Sequence, residues 1–308
     1  AELADLPFEA LVTSRAVTDP NHEGPFSKIE FLLDRFVISY CPSSAVLAAL
    51  CLRPPRRDRG KGLFLADPIT GPGFGPKERL YDSGGEVLAA AARMVQDPSA
   101  EFDRAYRQFS LEVGRSRQWS TDDFDLYLGA LASTDRLRVP LRAYGLIHCA
   151  VHGEVDTKDP SRTGLLLTPS SDDDGLFDLE AIRALDLDAE LVILSACSTA
   201  RGKILAGEGV LSMAAAFLEA GSRGVVATLW GVPDYEASQL LRQLGAGLSG
   251  GDDVALALTR AKRHFRGDPP AADRGVLLEG TSQATSDGHP AVWARYICTG
   301  SPLHTKQW

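Results

Sequence analysis

Two stretches of the chain carry the residue types of thiol chemistry. Leu146-Ile147-His148-Cys149-Ala150-Val151-His152-Gly153 is an apolar run ending in histidine and glycine, and Leu191-Val192-Ile193-Leu194-Ser195-Ala196-Cys197-Ser198 is another ending in a cysteine. A free thiol with a pKa of about 8.5 is mostly protonated at neutral pH, so a cysteine nucleophile needs a base beside it. Cys197 is the candidate nucleophile and His152 the candidate base. Gly153 allows a backbone N–H to approach a substrate carbonyl closely. With the N–H of Cys197 it would form an oxyanion hole, each donor worth roughly 3–4 kcal/mol. His148 competes for the role of base, but it lies deeper on the same strand face as Ala150 and His152, where a packed or supporting histidine is expected. A lone cysteine closing an apolar strand is usually packing, and it is the histidine at the neighbouring strand end that argues otherwise. Cys149 points to the opposite face. Cys41, Cys51 and Cys298 have no histidine near them in sequence, and all four read as structural.

For His152 and Cys197 to meet, their strands must lie side by side with a crossover between them. The chain has the pattern for this. Short apolar runs alternate with helix-period segments, which predicts an α/β fold with a mostly parallel sheet and helices on both faces. Core strands are expected at Gly62–Ala66, Gly145–Val151, Leu191–Ala196 and Gly224–Leu229, with an earlier strand over Phe31–Tyr40 and a late one over Trp293–Cys298. Helices are expected at Ser44–Leu50, Gly85–Gln96, Asp122–Ser133, Leu179–Leu185, Val210–Ala220, Glu236–Leu248 and Val254–Phe265. In Val210–Ala220 the residues Val210, Met213, Ala214 and Phe217 share one face and Gly221 follows as a stop, so this helix should pack on the sheet. In such sheets sites gather at the carboxyl ends of strands, where both stretches end.

Composition narrows the function further. The 308 residues carry 41 acidic against 32 basic side chains, a formal charge of −9, and are 44% apolar, an ordinary globular balance that excludes disorder and collagen. The negative charge argues against a nucleic-acid binder, which needs a basic face. One basic run, Arg53-Pro54-Pro55-Arg56-Arg57-Asp58-Arg59-Gly60-Lys61, is broken by Pro and Gly and reads as a solvated loop. The five cysteines are odd in number with no CxxC pair, which fits a reducing cytoplasm and argues against a zinc ribbon. No stretch approaches the roughly 18 apolar residues of a membrane helix. There is no GxxxxGK[ST], HExxH or GxSxG, and the prolines of Pro68–Pro76 spoil its GxG as a phosphate cradle, so no cofactor is expected.

Taken together, these blocks resemble the CHAT domain (caspase–HetF-associated), which belongs with caspases and separase. Leu146–Gly153 looks like the histidine block, and Asp174-Gly175-Leu176 through Leu187 like the approach to the cysteine strand. Leu194–Thr199, Gly207–Val210, Ala220-Gly221, Val226–Asp234 and His289–Trp293 follow in order. Tyr40–Ser43 and Leu65–Pro68 fit more loosely. Ala200-Arg201-Gly202-Lys203 departs from the family, which more often has glycine directly after the threonine. The resemblance implies a caspase-like fold over residues 29–308. Residues 1–28 are then a lead-in, and the absence of an initial methionine reads as a piece of a longer chain.

It also implies a cysteine endopeptidase working by a Cys197–His152 dyad, with Gly153 and Cys197 as oxyanion donors and no third acid. The expected substrate is a specific cytoplasmic protein, in a bacterial defence or cell-death pathway as in several relatives. Neither direct nucleic-acid nor membrane binding is expected. An activating partner or fused recognition module would lie outside this chain, and Ser198–Gly209, directly after the nucleophile, would order the site when it binds. The alternatives are a non-catalytic caspase-like scaffold, or a thiol enzyme acting on small molecules with the same dyad. Around the substrate, relatives that select arginine or lysine place an aspartate two residues before the nucleophile, where this chain has Ser195. The last acid of the separase-like run falls on Ser238. Asp234 remains as a candidate acid, although it also reads as the cap of the following helix. A neutral or apolar residue before the cut is therefore expected, with Ala227–Gly231 pairing to the substrate backbone and Trp230 lining the cleft.

Overall fold

Five parallel strands build the centre of the molecule and set the positions of both candidate strand ends. The computed structural model describes residues 7–15, 29–54, 56, 58–74, 80–94, 116–156, 159–195, 206–230, 234–266 and 290–301. In chain order its first half contains β1 (Val12–Arg15), β2 (Ile29–Phe31), α1 (Leu32–Arg35), α2 (Ser44–Leu52), β3 (Lys61–Ala66), α3 (Tyr81–Met94), β4 (Arg117–Ser120), β5 (Phe124–Leu128) and β6 (Tyr144–Ala150). The second half adds β7 (His152–Glu154), β8 (Gly164–Leu166), β9 (Leu176–Asp178), α4 (Leu179–Arg183) and β10 (Leu191–Leu194). It closes with α5 (Ala206–Glu219), β11 (Gly224–Thr228), α6 (Asp234–Ser249), α7 (Val254–Phe265), α8 (Pro290–Trp293) and β12 (Tyr296–Gly300).

The main sheet has seven strands in the order β12-β11-β10-β6-β3-β5-β4. Its five inner strands are parallel and both edge strands, β12 and β4, are antiparallel. The chain runs from β3 outward to β5, then crosses back to β6 on the other side of β3 and continues to β10 and β11. The gap between the carboxyl ends of β3 and β6 is therefore a topological switch point, where α/β folds bind ligands. The mostly parallel sheet with helices on both faces is as expected. One face buries Phe64, Phe124, Leu126, Leu146, Ile193 and Val226 against α3, α6 and α7; the other buries Leu65, Ile147, Cys149, Val192 and Ala227 against α2, α4 and α5. Among the described residues no helix is long and apolar enough to cross a membrane.

Several elements differ from expectation. Asp122–Ser133 is not a helix: Phe124, Leu126 and Leu128 alternate toward one core as β5, and Gly129 at φ +64° ends the run. The run is short, and Phe124, Leu128 and Leu131 also fall at helical spacing; Asp125, at the polar position of the alternation, is buried because Lys61, Tyr144 and Ser120 hold it. Phe31–Tyr40 is not one strand either. Asp34 accepts the Phe31 N–H and closes the short helix α1 directly after β2, while Phe36 and Val37 are exposed. Only Tyr40 rejoins the sheet, donating its N–H to Cys298 O and accepting from Gly300 N–H along the outer edge of β12. The late strand starts after Trp293, which ends α8.

The basic run is not a solvated loop throughout. Arg56 donates to the carbonyls of Arg142 and Asp188, and Arg53 to Gly221 O and Asp188, so these cations bolt loop ends together. The segment 7–15, within the expected lead-in, packs on the rest: β1 pairs with β2, and Glu9 is buried against Lys262 of α7 at 2.7 Å and against the Tyr40 hydroxyl.

Candidate functional site

β6 and β10 are parallel neighbours, registered from Leu146↔Leu191 to Cys149↔Leu194, and the Ser195 N–H extends the ladder to Cys149 O at 3.0 Å. The crossover between them is a three-stranded antiparallel sheet, β7-β8-β9, followed by α4. β6 therefore ends at Ala150, one residue before the chain turns at Val151, and His152 opens β7 instead of closing β6. His152 lies opposite Leu166 and is 4% exposed; Gly153 lies opposite Leu165 in the middle of its strand. The close approach of β8 to β9 requires Gly164, where an added Cβ would sit 2.2 Å from Phe177 O.

Cys197 and the rest of 196–205 lie outside the described residues. The segment expected to be a loop as far as Gly209 becomes helical at Ala206. Of the expected substrate residues, Ser195 is buried at the end of β10, and Trp230 is half-buried against the α3-side core. Asp234 is the first residue of α6, which begins two residues earlier than expected. The expected pairing of a substrate backbone along Ala227–Gly231 does not fit at its start. Ala227 and Thr228 are ladder partners of Ile297 and Tyr296, and Leu229 N–H donates to Arg295 O at 2.7 Å, so the β12 side is occupied through Leu229.

One residue of this region escapes sequence reasoning. Glu86, on α3, projects under the carboxyl ends of β6 and β10, with Oε1 2.6 Å from His148 Nε2 and Oε2 3.4 Å from the Ser195 hydroxyl, which donates to it. Glu86 and His148 are 1% and 0% exposed. His148 Nδ1 is buried with no partner among the described residues. The available signal was that Glu86 falls on the face of α3 that buries Ser83, Val87 and Ala91, a charged residue on a core stripe. Its partner lies 62 positions away, beyond any local pattern.

The loops leaving β3, β5 and β8 form one wall of the same rim. Asp67, the one non-glycine residue among those described with a left-handed backbone (φ +48°), follows β3, donates its N–H to Ala150 O and accepts from Leu80 N–H. Thr168 accepts from Ile69 N–H and donates to Gly129 O. Asp173 holds the turn Ser170–Gly175. Burial opposes its charge, but hydroxyls of Thr134 and Ser170 and N–H groups of Gly175 and Ser170 outweigh this and lower its pKa to about 2.

The other cysteines separate by burial. Cys149 and Cys298 are enclosed, and burial pushes both thiols up to about 12. Cys51 is exposed on α2. Among the described residues no three His, Cys, Asp or Glu side chains gather as metal ligands would.

A parallel-centred α/β sheet with a histidine-bearing strand beside the strand that leads to a cysteine defines the class of fold. The CHAT domain model matches residues 1–301, and the chain belongs to the CHAT domain family. No curated protein matches it. Among solved structures it is similar to a chain of the Saccharomyces cerevisiae separase–securin complex, in crystal structures at 3.0 and 2.6 Å resolution. Both are 14% identical and cover 90% of this chain, with TM-scores of 0.47 and 0.49. The match spans only 14% and 15% of those chains.

Proposed function

We propose that this chain is a cysteine endopeptidase domain in which Cys197 is the nucleophile and His152 the general base and acid. The observation that carries the reading is the adjacency of β6 and β10. The two strands are parallel, so the segment that opens with His152 and the one that holds Cys197 both start from the same carboxyl edge of the sheet. The family supports it, since the histidine and cysteine blocks both fall within the matched residues.

In this reading His152 takes the Cys197 proton, and the thiolate attacks the scissile carbonyl. The oxyanion is received by the N–H groups of Cys197 and Gly153. The imidazolium then protonates the leaving amine as the C–N bond breaks, leaving a thioester. Water, deprotonated by His152, attacks the thioester to release the acid and return the thiol.

The substrate is a specific protein, with a neutral or apolar residue before the cut beside Ser195 and Trp230. Asp234 is the remaining candidate acid. Because Ala227–Leu229 is engaged with β12 and Arg295, backbone pairing on that side would begin at Trp230. We place the enzyme in the cytoplasm and in a bacterial defence or cell-death response, activated by a partner or recognition module outside this chain.

The test is mass spectrometry of new protein N-termini generated in cell extract. Cleavages made by the wild-type chain should vanish in Cys197→Ala and fall by about 10²–10⁴-fold in His152→Ala. Full activity in His152→Ala, with loss in His148→Ala, would reassign the base. Domination of the cut sites by arginine or lysine would refute the neutral preference.

A further inference from the structure

We propose that Glu86 is a positioning residue for the thiol site. It ties the carboxyl ends of β6 and β10 together from beneath, one oxygen on His148 and the other on Ser195. This rests on the Cys197–His152 reading and adds a residue to it.

Among the described residues little else holds the end of β10. The strand is four residues long, its ladder contacts to β6 and β11 end at Leu194, and one backbone bond, Ser195 N–H to Cys149 O, continues beyond. The nucleophile stands two residues later. Reacting groups misplaced by about 1 Å lose about 100-fold in rate, so the end of β10 just before the nucleophile needs a second anchor. Glu86 supplies one on the side chain.

Its other oxygen grips His148, four residues before His152 on the adjacent strand. The same carboxylate thus references both sides of the site to α3, a helix packed on β3, β5 and β6. A buried carboxylate costs several kcal/mol unless it is hydrogen-bonded, and charge-assisted bonds are about twice as strong as neutral ones. A packed apolar residue at 86 would fill the space without that cost and without the tie.

The experiment follows the alkylation rate of Cys197 by iodoacetamide at pH 7, mapped by peptide, with exposed Cys51 as internal standard. This reads the nucleophile without requiring a substrate. In the wild-type chain Cys197 should react faster than Cys51, and His152→Ala should remove the excess. If there is no excess, the dyad reading fails and Glu86 has nothing to position.

With the excess present, Glu86→Leu combined with His148→Phe replaces the buried pair by apolar groups and keeps the packing. It should slow Cys197 by about 10- to 100-fold while leaving Cys51 unchanged. Glu86→Gln can accept from His148 and donate to Ser195, and should stay within about threefold of wild type, given the modest worth of a single hydrogen bond. Ser195→Ala removes one atom at the strand end and should slow Cys197 by about fivefold, the worth of one such bond. It decides the matter should the double variant not fold. A wild-type rate in Ser195→Ala, or in the folded double variant, overturns the proposal and leaves the dyad standing.

Discussion

His148 and His152 share a strand face in the sequence, and the fold gives them different surroundings. His148 is enclosed with Glu86, whereas His152 stands after the turn at Val151, where the chain leaves the main sheet. The sequence makes the two residue types and their strand ends legible because both depend only on local apolar runs. Glu86 was not legible, since its role depends on a helix packing across strands that are distant in the chain. Asp173 is a similar case: its value comes from hydroxyls and N–H groups that only the folded rim collects. Its carboxyl sits at about 2 in the folded protein against an ordinary 3.8, so it is stabilising above 3.8 and that contribution is lost as pH falls toward 2. Asp173→Asn should therefore lower Tm at pH 7, and the gap to wild type should close between pH 4 and pH 2 in a series of thermal melts.

Among elements, the long periodic helices were the most legible. α7 spans Val254–Phe265 as expected, started by Asp253, which accepts the Leu256 N–H at 2.8 Å. β5 reads as a helix from sequence because Phe124, Leu128 and Leu131 fall at i, i+4 and i+7, a spacing that competes with the short alternation Phe124, Leu126, Leu128. The docking of residues 7–15 was invisible for a different reason: Glu9 looks like any surface acid until Lys262 is seen to be buried with it. Burial pulls the Lys262 ammonium below its ordinary value, opposed by Glu9, and the pair therefore joins the first described segment to α7. Glu9→Ala leaves a buried cation uncompensated and should cost about 3–5 kcal/mol in urea unfolding, whereas Glu9→Leu with Lys262→Met should cost far less. Equal losses in the two variants would mean that the ion pair is not what holds the segment.

Across the whole molecule, the strand order puts β6 in the middle of the sheet and β12 at its rim, with a buried thiol on each. Edge strands open more readily than central ones, so pulsed thiol labelling under native conditions should mark Cys298 before Cys149. Simultaneous labelling would mean that the sheet opens as one unit. The order itself was only partly legible. Apolar runs announce inner strands, but the antiparallel edges β4 and β12 depend on pairings that no local pattern encodes. The strap formed by Tyr40 along β12 gives that edge a further property. An exposed edge strand is a template on which another chain can add a strand, and natural proteins cover such edges. By taking the Cys298 carbonyl and the Gly300 N–H, Tyr40 removes part of that template. The sheet is thereby guarded at this edge against growing from one molecule into the next.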